Sequence, residues 1–243
     1  YRHDPKDPDS LAGDIVHAVI EDSRGDLWVG TWGGGLDRFD RKAGRFVHHR
    51  PDPARPGSLN SDVIQHLFED REGTLWVGTV GGGLSRFDRG SGTFTPFVRD
   101  PGDPSSLSDD RVSFIAEDGA GSLWVGTAGG LNRMDRRAGT FERFRSRDGL
   151  PSDAITGVLG DPGGFIWFGH FKGLSRLDPR TGGVLTFTEG DGLPSIEFNS
   201  GACALAPDGE MLFGGVNGIV AFRPERVRTN PHPPAIAVTS FQI

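Results

Sequence analysis

The chain of 243 residues is short of several residue types, and each shortage removes a class of protein. Cys203 is its single cysteine, so an internal disulfide and a cysteine-built metal cluster are excluded, while the redox compartment stays open. No apolar run reaches 18 residues, so no segment reads as a membrane-spanning helix. Helical periodicity never holds for ten residues, which argues against a helical fold. Basic residues number 26 against 33 acidic ones, a net charge of -7, and this balance speaks against non-specific nucleic-acid binding. None of the seven histidines sits in a zinc-binding spacing, no calcium loop is spelled out, and no G-x-S-x-G elbow is present. No catalytic residue, cofactor or metal is therefore expected.

Glycine is abundant instead, and it recurs inside one repeated phrase. L-W-V-G-T-x-G-G-G-L occupies Leu27–Leu36 and again Leu75–Leu84. Leu123–Leu131 reads L-W-V-G-T-x-G-G-L, and Ile166–Leu174 reads I-W-F-G-H-x-K-G-L. A worn copy covers Leu212–Ile219. The large aromatics fall at Trp28, Trp76, Trp124, Trp167 and Phe213, about 43 to 48 residues apart. A unit of that size cannot bury its own apolar face, so the copies must stack.

The second copy shows the unit best. Val63–Asp70, Thr74–Thr79, Leu84–Asp88 and Thr93–Arg99 read as short strands, separated by turns around Gly73, Gly81-Gly82-Gly83 and Gly90. Four antiparallel strands per unit, with a Gly/aromatic signature, predict an all-β fold: a β-propeller of four-stranded blades with about five blades present. An open β-solenoid is the rival, but its rungs do not need three hairpin turns each. Blades are expected near 1–57, 58–105, 106–149, 150–192 and 193–229. Residues 230–243, opening with Asn230-Pro231-His232-Pro233-Pro234, read as a proline-rich connector and the start of a following β domain. Tyr1–Leu11 aligns with Phe97–Leu107, the tail of a fourth strand. Five copies make either a five-bladed ring closed partly by Tyr1–His3 or a fragment of a larger, seven-bladed ring; the reading favours the fragment. The missing secretory leader then carries little weight.

The repeat closely resembles the two-component regulator propeller family. The matching residues are the E-D-x-x-G-x-L-W-V-G-T block at Glu69–Thr79, the Gly-Gly-Gly-Leu turn, and R-F-D at Arg38–Asp40 and Arg86–Asp88. The last copy looks like the terminal one of such proteins through Glu197-Phe198-Asn199, Pro207-Asp208-Gly209, Phe213-Gly214-Gly215, Asn217-Gly218-Ile219 and Phe222-Arg223-Pro224. The resemblance implies a periplasmic sensor module of a bacterial, membrane-anchored histidine kinase that works as a homodimer, with glycan-derived small molecules or oligosaccharides among its ligands. It implies an immunoglobulin-like domain after the connector. A structural propeller that mediates receptor dimerisation is the alternative. A propeller lyase or hydrolase is a third reading, prompted by a fainter similarity to streptogramin lyases.

The repeated tryptophans and Phe213 are expected to pack blade on blade, because their place inside an apolar strand is fixed. The variable residue of each glycine turn is a better ligand candidate. It is Trp32, Val80, Ala128, Phe171 and Val216; in the fourth copy His170 replaces the threonine after W-x-G and Phe171-Lys172 the first turn residues. A carboxylate precedes four first strands, at Asp14, Asp62, Asp110 and Asp153. This ring of acids suits a cation or a polyhydroxylated ligand, although fixing the backbone is its simpler role. His17, Gln65, Ser113 and Thr156 share a column inside the first strand and read as channel-facing.

Overall fold

A computed structural model describes residues 1–227. The expected connector at 230–243 lies outside the described residues. Five antiparallel sheets follow one another along the chain, each strand hydrogen-bonded to the next in sequence. Blades 1 to 4 have four strands and blade 5 has three among the described residues. The first strands are Val16–Glu21, Ile64–Glu69, Val112–Glu117, Ile155–Gly160 and Phe198–Leu205. They pack side by side from each blade to the next and form the inner wall. The chain is thus an all-β propeller of five blades.

The strand bounds differ slightly from the sequence expectation. In blade 2 the outer strand is Thr93–Phe97 and stops short of Arg99. The Arg99 N–H is drawn away by the Asp110 carboxylate at 2.6 Å, which peels the chain towards blade 3. The following segment pairs with that blade's outer strand through Phe141 N–H to Ser105 O at 2.7 Å. Residues before the first strand of blade 1 do the same, with Phe46 N–H donating to Asp9 O at 2.9 Å. Tyr1 accordingly packs on Phe39 and Phe46 of blade 1, with ring centroids 4.9 and 5.3 Å away.

Each repeated tryptophan points into the next blade. Trp28 lies among Ile64, Leu67, Leu75, Val77 and Phe87 of blade 2, and all four tryptophans are at most 2% exposed. Burying such a side chain stabilises the interface by about 4–6 kcal/mol as an upper bound on area alone. The glycine two residues on permits this approach. A Cβ on Gly30 would sit 2.5 Å from Ile64 Cγ2, and one on Gly78 would sit 2.7 Å from Val112 Cγ1.

The indole N–H of each tryptophan is satisfied by an aspartate six residues upstream. Trp28 Nε1 donates to Asp22, Trp76 to Asp70, Trp124 to Asp118 and Trp167 to Asp161, at 2.7–2.8 Å. The other Asp22 oxygen accepts the Arg24 and Asp26 N–H groups and so ties the turn. An arginine of the next blade completes the clasp. Arg89 bridges Asp22 at 2.6 Å and Glu69 at 3.0 Å, and Arg136 bridges Asp70 at 3.1 Å and Glu117 at 2.6 Å. Blade 4 has Gly160 and Pro179 at the glutamate and arginine places, so this clasp loses both members together.

Strand register corrects one alignment. Gly215 pairs with Gly218 as Thr127 pairs with Gly130, so Phe213 occupies the column of Val29, Val125 and Phe168. Leu212 takes the tryptophan place and Ala206 the aspartate place. Phe213 is still a packing residue, 1% exposed, but it faces back onto blade 4. Losing the aspartate together with the indole leaves no buried N–H without a partner.

The two ends of the stack differ from its middle. Val19 is 60% exposed, whereas Leu67, Ile115 and Val158 in the same column are at most 6% exposed. Arg41 and Glu21 form the pair seen at Arg89 and Glu69, yet both lie open to solvent. Ile219 on blade 5 is 70% exposed.

Candidate functional site at the channel mouth

Every first strand of blades 1 to 4 carries a β-bulge near its start. The register skips His17, Gln65, Ser113 and Thr156, and a longer irregularity lies between Phe198 and Cys203. A bulge leaves one residue outside the ladder and re-aims its side chain. Here it turns a polar column towards the space where the first strands converge. Gln65, Ser113, Thr156 and Ser200 line a cavity of about 170 Å³ there, together with Phe171 and Arg111. Ser113 Oγ donates to Ile155 O at 2.6 Å. Thr156 is 2% exposed and its Oγ1 has no partner. His17 lies apart from this lining, its ring 5.0 Å from that of Trp32.

The turn residues form the rim. Trp32 is 46% exposed and Phe171 56% exposed, and Lys172 is also exposed. Glycine turns bind the rim to the next blade: Gly33 and Gly35 both donate to Asp62 O, and Gly81 and Gly83 both donate to Asp110 O, at 2.9–3.0 Å. The fixed words of the turn are therefore anchors, and its variable residue is the part left facing outward.

His170 is placed differently from its neighbours. It is fully buried, with Nε2 2.8 Å from Ser175 Oγ and Nδ1 accepting the Lys172 N–H at 3.1 Å. It takes over the turn-tying work that Thr31, Thr79 and Thr127 do by donating to the carbonyl of the turn's last glycine. Burial, helped by the Lys172 charge, lowers its pKa to about 4, so the ring is neutral at pH 7. A side chain so enclosed does not reach a ligand.

The four acids separate in the same way. Asp14 accepts the His3 N–H, Asp110 the Arg99 N–H, and Asp153 both the N–H and Oγ of Ser146. At the corresponding place before blade 2 stands Pro51, which has no N–H to give, and Asp62 is exposed. Three of the acids thus fix the crossing between blades. Among the described residues no group of three or more His, Cys, Asp or Glu is arranged to hold a metal ion. His17, His66 and His170 do not converge: His66 stacks on Phe114 at 3.9 Å, away from Trp32 and from Ser175.

On the opposite face, where each turn between the first two strands lies, a wider groove of about 620 Å³ runs between blades 2 and 3. It includes Asp70, Trp76 and Arg136, the members of the clasp, and is the seam of a packing interface.

Of the residues singled out in the sequence, Gln65, Ser113, Thr156 and Phe171 line the channel-mouth cavity and His17 does not. Sequence reading missed Arg111, Ser200 and the bulge itself. The signal for the bulge was the one-residue break in the in/out alternation between Ile64 and His66.

These features define a stacked β-propeller with clasped blades and a concave site at one mouth of its channel. Residues 10–33, 58–81 and 106–129 match the family described as Two component regulator propeller. The extracellular domain of BT3049 from B. thetaiotaomicron, designated a hybrid two component system, has the same fold at a TM-score of 0.79 and 23% identity. That likeness covers 92% of this chain and 30% of the other. The extracellular domain of BT4673 from the same organism gives 0.74 at 24% identity, covering 87% and 30%. Virginiamycin B lyase from Staphylococcus aureus gives 0.61 at 14% identity, covering 86% and 69%. The chain therefore spans about 30% of the length of the two extracellular domains. No curated protein matches the chain.

Proposed function

We propose that this propeller is an extracytoplasmic sensing module of a membrane-anchored two-component receptor, and that it binds its ligand on the turn face rather than turning a substrate over. The observation that carries this reading is the regulator-propeller repeat in three copies, set in the fold of the BT3049 extracellular domain. The exposed turn residues Trp32, Phe171 and Lys172, with Phe171 also lining the cavity, support the turn face as the recognition surface. A small molecule or an oligosaccharide released from a glycan is the ligand class we assign to the receptor, which acts as a homodimer. The test is the receptor's signalling output in cells fed candidate glycans, with Trp32→Ala and Phe171→Ala combined. Loss of response at normal protein level supports the site, and full retention removes it.

We also infer that the five blades belong to a larger ring. Exposure of Val19, and of the Arg41–Glu21 pair beside it, supports this. An equivalent pair inside the stack holds the aspartate of a preceding blade, and blade 5 offers only Ala206 at that place. Thiol labelling of Val19→Cys in the longer receptor tests it: a protected thiol is expected, and one as reactive as in the five-bladed chain contradicts it.

A further inference from the structure

We propose that residues 235–243 form the fourth strand of blade 5, seated antiparallel to Gly218–Phe222 in an apolar groove between blades 4 and 5. In the receptor proposed above, the propeller then passes into the rest of the chain through a strand of its last blade rather than a free linker, whatever the ligand.

The groove is the place that an outer strand fills elsewhere. It holds about 320 Å³ between Trp167, Leu174 and Phe187 of blade 4 and Val220 and Phe222 of blade 5, with Leu193 of the crossing segment. In blade 2 the outer strand Thr93–Phe97 supplies Phe94 to the cluster of Trp28 and Phe87. In blade 3 Thr140–Phe144 supplies Phe141 to the cluster of Trp76 and Met134. Blade 5 has no such strand among the described residues, and three columns show the difference. Phe222 is half-buried, whereas Phe87, Met134 and Leu177 are at most 9% exposed. Val220 is half-buried where Ser85, Asn132 and Ser175 are fully buried. Leu193 is half-buried where Leu59, Leu107 and Leu150 are at most 4% exposed. The edge of Gly218–Phe222 is also left open to pairing.

The tail of the chain carries the matching sequence. The outer strand of blade 4 reads V-L-T-F at Val184–Phe187, and the tail reads V-T-S-F at Val238–Phe241. The two ends of this phrase face opposite sides of a strand. In blade 2 Phe94 turns to Trp28 while Phe97 turns to Trp76. Val184 pairs with Leu177 and Phe187 with Leu174. In the same register Val238 pairs with Phe222 and enters the groove, while Phe241 pairs with Ile219 on the other face. The backbone offers a second anchor. In blades 1 to 3 an outer-strand N–H donates to the crossing segment, Phe46 to Asp9 O, Phe94 to Gly57 O and Phe141 to Ser105 O. Asp191 O stands at that place for Val238.

The chain also leaves from the right position. Val227, the last described residue, itself lines the groove. Residues 228–237 are long enough to turn back along a five-residue strand. The prolines of the tail fall at Pro231, Pro233 and Pro234, so none interrupts 235–243, and Ile236, Val238, Thr239 and Ile243 are β-branched. The other end of the chain is already placed, with Tyr1 on Phe39 and Phe46 of blade 1.

Amide hydrogen exchange on the intact 243-residue chain, read by mass spectrometry, tests the seat. Peptides within 236–242 are expected to exchange at least tenfold more slowly than the same peptides free in solution. Val238→Asp, which puts a charge into the groove, is expected to abolish that protection, to speed exchange of Gly218–Phe222 and to lower the unfolding midpoint. Thr239→Asp, at the place of the exposed Thr95 and Glu142, is expected to do none of these. Free-peptide exchange over 236–242, or equal effects of the two aspartates, overturns the proposal. Protection that grows with protein concentration gives the groove to the tail of a second copy and overturns it too. So does a longer receptor in which Gly218–Phe222 is protected while 236–242 is not, since another strand then fills the groove.

Discussion

Replacing Asp22 by alanine should damage the stack far more than a lost turn residue would. Asp22 is 4% exposed and accepts four hydrogen bonds: from Arg24 N–H at 3.0 Å, Asp26 N–H at 2.9 Å, Trp28 Nε1 at 2.8 Å and Arg89 at 2.6 Å. The substitution leaves a buried indole N–H unpaired and removes one of the two carboxylates beside Arg89, itself 11% exposed at the side chain. Breaking a buried ion pair from one side costs about 3–5 kcal/mol. For a chain of this size that lowers the unfolding midpoint by roughly 6–20 °C. Blade 4 supplies the internal control. Asp161 accepts Trp167 Nε1 at 2.8 Å and the Phe165 N–H at 3.0 Å, but no arginine among the described residues of blade 5 pairs with it. Asp161→Ala should therefore cost less, by about the worth of the interblade charge contact. Thermal and urea unfolding, followed by tryptophan fluorescence, should show both differences. A double-mutant cycle of Asp22→Ala with Arg89→Ala should give a coupling above about 0.5 kcal/mol. Equal losses at Asp22 and Asp161, or additivity in the cycle, would refute the clasp.

Other substitutions follow from the same contacts. Gly78→Ala drives a Cβ to 2.7 Å from Val112 and should cost about 1–3 kcal/mol by equilibrium unfolding, while Gly119→Ala, with open space around it, should be neutral. Stability should rise with pH between about 4 and 6.5. His49, His66 and His170 have pKa values lowered to about 4 by burial, so the unfolded chain binds more protons in that window. His66→Phe should flatten that slope in urea titrations run from pH 4 to 7. At still lower pH a further loss comes from Asp22. Burial pulls its pKa up, but hydrogen bonds from Trp28, Arg89 and the turn outweigh this and hold it below 3.8, so its contribution vanishes as pH falls through that lower value. His170→Ala should leave the Lys172 N–H and Ser175 short of a partner and cost about 1–3 kcal/mol, most of which His170→Thr should recover in thermal melts.

Much of this was legible in the residues. The repeat length and the glycine turns specify four-stranded blades, and the fixed tryptophan marks the blade interface. The polar column of Gln65, Ser113 and Thr156 pointed to the channel. What stayed hidden depends on groups brought together by stacking. Asp22 and Arg89 lie in different copies, so their pairing appears only once blade 2 is laid on blade 1. Aspartate before a glycine turn also has a sufficient local explanation, which masked its second bond to the indole. The worn copy misled because Leu212-Phe213 invites alignment of aromatic with aromatic. Hydrogen-bond register shifts it by one residue and turns Phe213 towards the other neighbour. His170 looked like a loop residue exposed for binding, but the strand's alternation carries it inward to Ser175.

We propose that the fixed residues of the repeat serve packing and that its variable turn residues serve recognition. Phe171→Ala in the intact receptor tests that division most directly, read as signalling output beside the unfolding midpoint. Phe171 is 56% exposed, so the midpoint should stay unchanged while the response to ligand falls. An undiminished response, or a response lost only because the midpoint falls, would contradict it.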